Sequence, residues 1–416
     1  MFSSVVRADD FGWTPAASLA LGAPTGAAPE NGAPIGPFLV YPELTLGGVY
    51  NDNLYPAATT RQASFGYRFA PSIAAVDDEG LRKSSLYFNA DAEIYPGAGP
   101  EVPAADKRAV SMAAGAQQSW TPTPDLSLQA DVGYTRQNAL LQAPVFPDTR
   151  FATTPEVLNL TDGAQYSDLV EAQASIEKTL GHGFFVRAGA GVQSIAYESG
   201  GSSGPAPAGG QDYTASLRFG YALTPTLSGF VEGDFDRQLR SPAAADSDIY
   251  RAIVGVSSDL ISLFRGELYA GYQRQVSPGG AFAAITAPTY GASIYYYPTP
   301  YLTLSASLDQ TYAFATGLPA TTAAASPDVM EARLEANYAM AVYWRATASL
   351  AWAQATVSAT PASRVTAWIA NAKLDYNFWR NLDITLAYQF ADLAAQGGGV
   401  RGYDQNVTTL GLTYKY

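Results

Sequence analysis

Three carboxylates, Glu232, Asp234 and Asp236, fall at alternate positions of one extended segment, so a strand would project all three from the same face. Carboxylates this close repel one another unless arginines or a cation sit among them. Arg218 and Arg251, on neighbouring segments, are the candidate counter-charges. The chemistry within reach is charge filtering or cation contact rather than bond-making. Catalysis has little to draw on: the chain has no cysteine and one histidine, His182, in the turn Gly181-His182-Gly183. Without a base beside a nucleophile, or ligands at metal spacing, we expect no catalytic residue, no metal site and no cofactor.

The elements that carry these charges follow from a period of two. Leu382, Ile384, Leu386, Tyr388 and Phe390 share one face while Asp383, Thr385, Ala387 and Gln389 share the other. Trp368, Leu374, Tyr376 and Phe378 stand likewise against Asn371, Lys373, Asp375 and Asn377, and Leu302, Leu304, Ala306 and Leu308 against Thr303, Ser305, Ser307 and Asp309. From Tyr41 onward this rhythm yields about 18 strands, with 16 to 20 possible. Short turns at Asp77 to Gly80, Thr121 to Pro124, Gly181 to Gly183, Thr224 to Thr226, Pro298 to Pro300 and Arg380 to Asn381 alternate with longer connections. Aromatics cluster beside the short turns: Trp120, Tyr295 to Tyr297, Tyr343, Trp344, Phe378 and Trp379. These are the marks of an all-β, transmembrane, antiparallel up-and-down barrel with an interfacial girdle and both termini in the periplasm. A soluble β-sandwich or propeller would need no such girdle.

Composition agrees. Charged residues make up 15% of the 416 residues, with 27 Tyr and 38 Gly, and no apolar run is long enough for a helical span. A formal charge of −13 speaks against a nucleic-acid partner. The domains expected are 1–40, an Ala/Pro/Gly-rich periplasmic extension or small plug with Trp13 and Leu19 to Leu21, and 41–416, the barrel. Met1 to Asp10 lacks the charged and apolar regions of a secretory signal, so the expectation is that the signal has been removed or the start is incomplete.

Parity then assigns the lumen. It receives Asp91, Glu93, Asp131, Glu171, Glu177, Glu232, Asp234, Asp236, Glu267, Glu331, Glu335, Asp375 and Asp383, with Arg68, Arg187, Arg218, Arg251, Arg265, Arg333, Arg345 and Lys373. A net acidic, water-filled lumen would favour cations or neutral polar solutes; the competing reading is that the charges pair and simply fill the wall. The apolar content of Asn138 to Gln165 suits a loop folded into the barrel or packed on a neighbouring protomer. The last strand places Leu410, Leu412, Tyr414 and Tyr416 outward, an aromatic ending suited to the barrel-assembly machinery.

The segment Pro37 to Tyr55, PFLVYPELTLGGVYNDNLY, resembles the opening of the putative β-barrel porin 2 family of bacterial outer-membrane proteins. Matching positions are Pro42, Leu44, Leu46, Tyr50, Asp52, Asn53 and Leu54, then Pro71 and Ile73; Asn51 stands where the family more often has Asp. The resemblance implies an outer-membrane barrel often associated with surface-polysaccharide loci and without an established enzymatic role. Tyr50, Asn51, Asp52 and Asn53 themselves read as an Asx-rich turn where the strand leaves the membrane, with a divalent-ion or lipopolysaccharide contact as the alternative. The expected function is a porin-like channel for small polar solutes or a conduit linked to exopolysaccharide secretion. The alternative is a structural or assembly barrel with an occluded lumen whose loops bind surface glycans or proteins. Expected partners are outer-membrane lipid and lipopolysaccharide, the assembly machinery, and a homo-oligomer or secretion partner.

Overall fold

The computed structural model describes residues 32–54, 61–99, 102, 107–138, 165–199, 209–241, 246–261, 263–312, 328–357, 363–396 and 402–416. Trp13, Leu19 to Leu21 and nearly all of the segment Asn138 to Gln165 lie outside the described residues. The described residues form strands and no helix: β1 Ala33–Ile35, β2 Phe38–Asn51, β3 Ser64–Asp78, β4 Arg82–Ile94, β5 Arg108–Thr123, β6 Leu126–Asn138, β7 Gln165–Leu180, β8 Phe184–Ser199, β9 Gly209–Thr224, β10 Leu227–Ser241, β11 Ser247–Ile261, β12 Phe264–Val276, β13 Ile285–Thr299, β14 Leu302–Tyr312, β15 Asp328–Ala341, β16 Trp344–Val357, β17 Ser363–Trp379, β18 Leu382–Gln396 and β19 Tyr403–Lys415. Each strand from β2 onward pairs antiparallel with the next, and β19 pairs back onto β2. The result is a closed barrel of 18 strands plus one short strand, β1, which forms a hairpin with the start of β2 through Gly36 at φ +62°. Closure removes every sheet edge that lipid could not satisfy.

Register bears out the two-faced pattern. Outward-facing Phe65, Tyr67, Leu268, Leu334, Leu386 and Leu410 are exposed, as lipid-facing side chains must be. A slip of one residue would carry the inward arginines into lipid, at about 2 to 4 kcal/mol each near the midplane. The short connections lie at one end of the barrel and the long ones at the other, and the strand directions put the start of β2 and the end of β19 at the short-turn end. Trp120, Tyr343, Trp344, Phe378 and Trp379 are exposed beside those short turns, with Trp344 stacked on Tyr376 and Phe264 on Tyr296. Tyr295 departs from the expected girdle. Its register partners are Arg265 and Ser305, both on the inward face, so only its neighbour Tyr296 joins the outer band.

Inward aromatics lie flat where the next strand offers a glycine. Phe185 covers Gly220, Phe230 covers Gly255, Tyr269 covers Gly291 and Tyr87 covers Gly115; a Cβ at any of these glycines would come within 2.7 Å of the ring. Small inward residues thus let large neighbours lie along the wall instead of crossing the lumen.

Candidate functional site

The lumen wall turns polar because β7 to β12 each carry charge at inward positions, and register brings opposite charges side by side. Arg187 on β8 stands opposite Glu177 on β7 and donates to it at 2.7 Å. Arg218 on β9 faces both Arg187 and Glu232. Its Nε donates to Glu232, and its Nη1 reaches Glu267 on β12 at 3.0 Å. The guanidinium lies 3.9 Å over the Phe230 ring, which rests on Gly255. Arg251 on β11 donates to Asp234 at 2.7 Å. Asp236, the third of the carboxylates, accepts from the Gln238 amide at 3.1 Å. The repulsion expected among the three is therefore relieved by Arg218, Arg251 and Gln238.

Arg218, Glu232 and Glu267 are all more than nine-tenths buried. Two carboxylates around one guanidinium in such surroundings are stable only as a set, since removing the cation leaves both anions desolvated.

Other candidates stand elsewhere along the inner wall or beside the arc. Arg333 pairs with Glu335 on its own strand at 3.0 Å, Lys373 with Asp375 at 3.0 Å, and Glu331 lies opposite Asp309. Arg345 stands opposite Asp375, and Arg265 opposite Tyr295. Across the lumen Arg68 grips Asp91 through Nε and Nη2 at 2.9 and 2.6 Å, while Glu93 accepts from Tyr95. Asp131 and Glu171 lie on the same inward face, opposite Gln173 and Gly133. Inward carboxylates missed as candidates include Asp309, Asp212 and Glu43, the last standing opposite Lys415. Asp309 accepts from Tyr269, and Asp212 lies opposite Gln193 and Gln238. Asp309 already shared the polar parity of its strand; Asp212 directly follows the Gly/Ser/Pro-rich stretch Ser199 to Gln211, which gives no parity to extend.

The lumen is not uniform along its axis. On β17 the inward residues nearest the long connections, Val365, Ala367 and Ile369, are almost fully buried, whereas Asn371, Lys373, Asp375 and Asn377 keep exposed surface. Gln273, Gln275 and Gln405 repeat the burial on other strands. Inner-face burial is thus greater in the long-connection half.

The first and last strands meet in a different kind of site. Thr45 and Thr413 hydroxyls bond at 2.7 Å, and Gly47 faces Gly411 so closely that a Cβ there would meet the Leu410 carbonyl at 2.6 Å. At the long-connection end Asn51 Oδ1 accepts from the Asn53 amide at 2.9 Å, the expected Asx turn. The motif goes further than a turn. Asp52 accepts from the Asn406 backbone and side-chain amides at 2.7 and 2.8 Å, Asn53 Nδ2 donates to the Asp404 carbonyl at 2.6 Å, and Gln405 donates to the Asn53 carbonyl at 3.1 Å. Tyr50 stacks obliquely on Phe65, 4.8 Å between centroids, and Pro42 accepts from the Tyr416 amide at the other end. Leu410, Leu412, Tyr414 and Tyr416 all stand exposed on the outer face of this seam. The described residues hold no group of three or more His, Cys, Asp and Glu placed to bind a metal ion.

The family described as Putative beta-barrel porin 2 matches residues 27–416. No curated protein matches the sequence. Among solved structures, the apoprotein form of the FrpB iron transporter from Neisseria meningitidis is similar with a TM-score of 0.48 at 11% identity, over 90% of this chain and 81% of that one. The outer membrane protein opdK from Pseudomonas aeruginosa gives 0.43 at 10% identity, over 91% and 98% of the two chains. OccAB4 from Acinetobacter baumannii gives 0.42 at 12%, again over 91% and 98%.

Proposed function

Because this chain belongs to the Putative beta-barrel porin 2 family, we propose that it is an outer-membrane channel for small polar solutes, oriented with both ends of the barrel chain in the periplasm. The observation that carries the reading is the polarity of the inner face, where ion pairs such as Arg187 with Glu177 and Arg251 with Asp234 stand inside a barrel whose outside is apolar. Eighteen strands enclose more space than wall side chains fill. Since the arginines of the arc are paired, the field inside is set by the excess of inward carboxylates and favours cations weakly. No catalytic step belongs to this role. Reconstituted liposomes provide the test: swelling in small neutral sugars and amino acids is expected, and vesicles that stay tight despite folded barrel would sink the proposal.

A second reading has one observation in its favour. The burial of Val365, Ala367, Ile369, Gln273 and Gln275 suits an occluded barrel that serves as a structural element or as one part of an exopolysaccharide-secretion assembly. Such a barrel would leave the same vesicles tight.

A further inference from the structure

Beyond β4 the described residues 95–99 and 102 turn toward the inside of the barrel. Tyr95 continues the inward parity of β4, its amide bonds the Lys107 carbonyl at 2.9 Å, and its ring covers inward-facing Gly66, where a Cβ would lie 2.8 Å from the ring. The chain then turns back, with the Ala98 amide on the Tyr95 carbonyl and the Val102 amide on the Gly99 carbonyl. Lys107 Nζ donates to the Ala98 carbonyl at 3.0 Å. Ala98 and Val102 pack with Leu54 and Tyr95 against Val49 and Ala109, both on the inner face of the wall. All six are buried, Tyr95 and Leu54 completely. A connection outside the barrel would have no reason to present its apolar residues to the inner wall, and in water it would expose them.

We propose that residues 95–99 and 102 form a fixed inward shelf, seated by the Tyr95 ring on Gly66, which narrows the long-connection end of the lumen on the side of β2 to β5 and sets the largest solute admitted. The inference rests on the channel reading and deepens it. Tyr95 acts as a positioning residue: it holds the shelf and its hydroxyl is engaged with Glu93 at 2.7 Å. Packing of this kind has little slack, so losing the ring or burying a charge beneath the shelf releases it.

Single-channel recording with polyethylene glycols of graded size reads the lumen directly. Tyr95→Ala and, independently, Val102→Asp are expected to raise conductance and to move the polymer cut-off to larger sizes, in barrels that keep heat-modifiable mobility on gels. Tyr95→Phe keeps the ring and is expected to keep the wild-type cut-off. Folded Tyr95→Ala and Val102→Asp barrels with wild-type conductance and cut-off would overturn the shelf, as would a Tyr95→Phe change as large as that of Tyr95→Ala. Hydrogen exchange on the wild-type barrel tests it without a variant: the amides of Tyr95, Ala98 and Val102 should be protected, and exchange at the rate of an open chain would refute it. A wild-type barrel that passes no current would instead strike at the channel reading, while protected amides would still support the shelf.

Discussion

The seam between β19 and β2 and the arc across β7 to β12 solve different problems with different materials. The seam is made mostly of glycines, threonines and Asx side chains in short contacts, with charge confined to its two ends, where Arg61 pairs with Asp52 and Asp404 and Lys415 bonds Asp383 at 2.7 Å. The arc is made of guanidiniums and carboxylates. Joining the two ends of a long sheet calls for close backbone approach and directional bonds that leave no edge open. Lining a path for polar solutes calls for charge, and charge in a wall must be paired. Damage to the seam should therefore cost the barrel itself, whereas damage to the arc should change what crosses it.

The largest effect is expected at the seam's aromatic end. Deleting Tyr416 should lower the amount of assembled barrel in the outer membrane steeply, read as heat-modifiable protein in membrane fractions; normal levels would break the contrast at its root. Next comes the one place where the arc is also structural. Arg218→Gln strands Glu232 and Glu267 and should destabilise the folded barrel by about 3 to 5 kcal/mol in denaturant titration, with much of the loss recovered when Glu232→Gln and Glu267→Gln are added. Asp52→Ala removes both acceptor contacts to Asn406 and should cost about 1 to 3 kcal/mol, with ion selectivity unchanged. Replacing Glu232, Asp234 and Asp236 by Gln, Asn and Asn should leave the barrel folded and reduce cation preference, read from the reversal potential.

The smallest effect lies outside both regions. In the turn between β5 and β6, hydrogen bonds from Lys178 and Thr123 pull the Asp125 carboxyl down to about 2. A carboxyl lowered in the folded state stabilises above its unfolded value and loses that contribution as pH falls toward 2. The group is open to solvent, which screens the pairing, so Asp125→Asn should barely alter acid tolerance, while NMR titration of the wild-type side chain should still show the low midpoint.

Much of this was legible in the sequence because a barrel wall has a period of two and lipid enforces it. Leu386 against Asp383, and Trp368 against Lys373, assign faces without further information. Partners were legible only as candidates. Arg218 was a named neighbour of Glu232, but its reach to Glu267 passes over the Phe230 ring, which lies flat because Gly255 has no side chain. The inward shelf was not legible, since Tyr95, Ala98 and Val102 sit in a stretch whose Gly and Pro content reads as an outer loop, and only the contact with Gly66 reveals its direction. The Asx contacts across the seam were half legible: Asn51 to Asn53 announced a turn, while the partnership with Asn406 spans nearly the whole chain.

The central claim is that a charged but paired lumen conducts. Single-channel recording in a planar bilayer under a salt gradient addresses it most directly. The account predicts steady openings with a reversal potential displaced modestly toward cations, and a smaller displacement in the Glu232→Gln, Asp234→Asn, Asp236→Asn barrel. Silence from a folded wild-type barrel, or an unchanged reversal potential in the conducting triple variant, would contradict it.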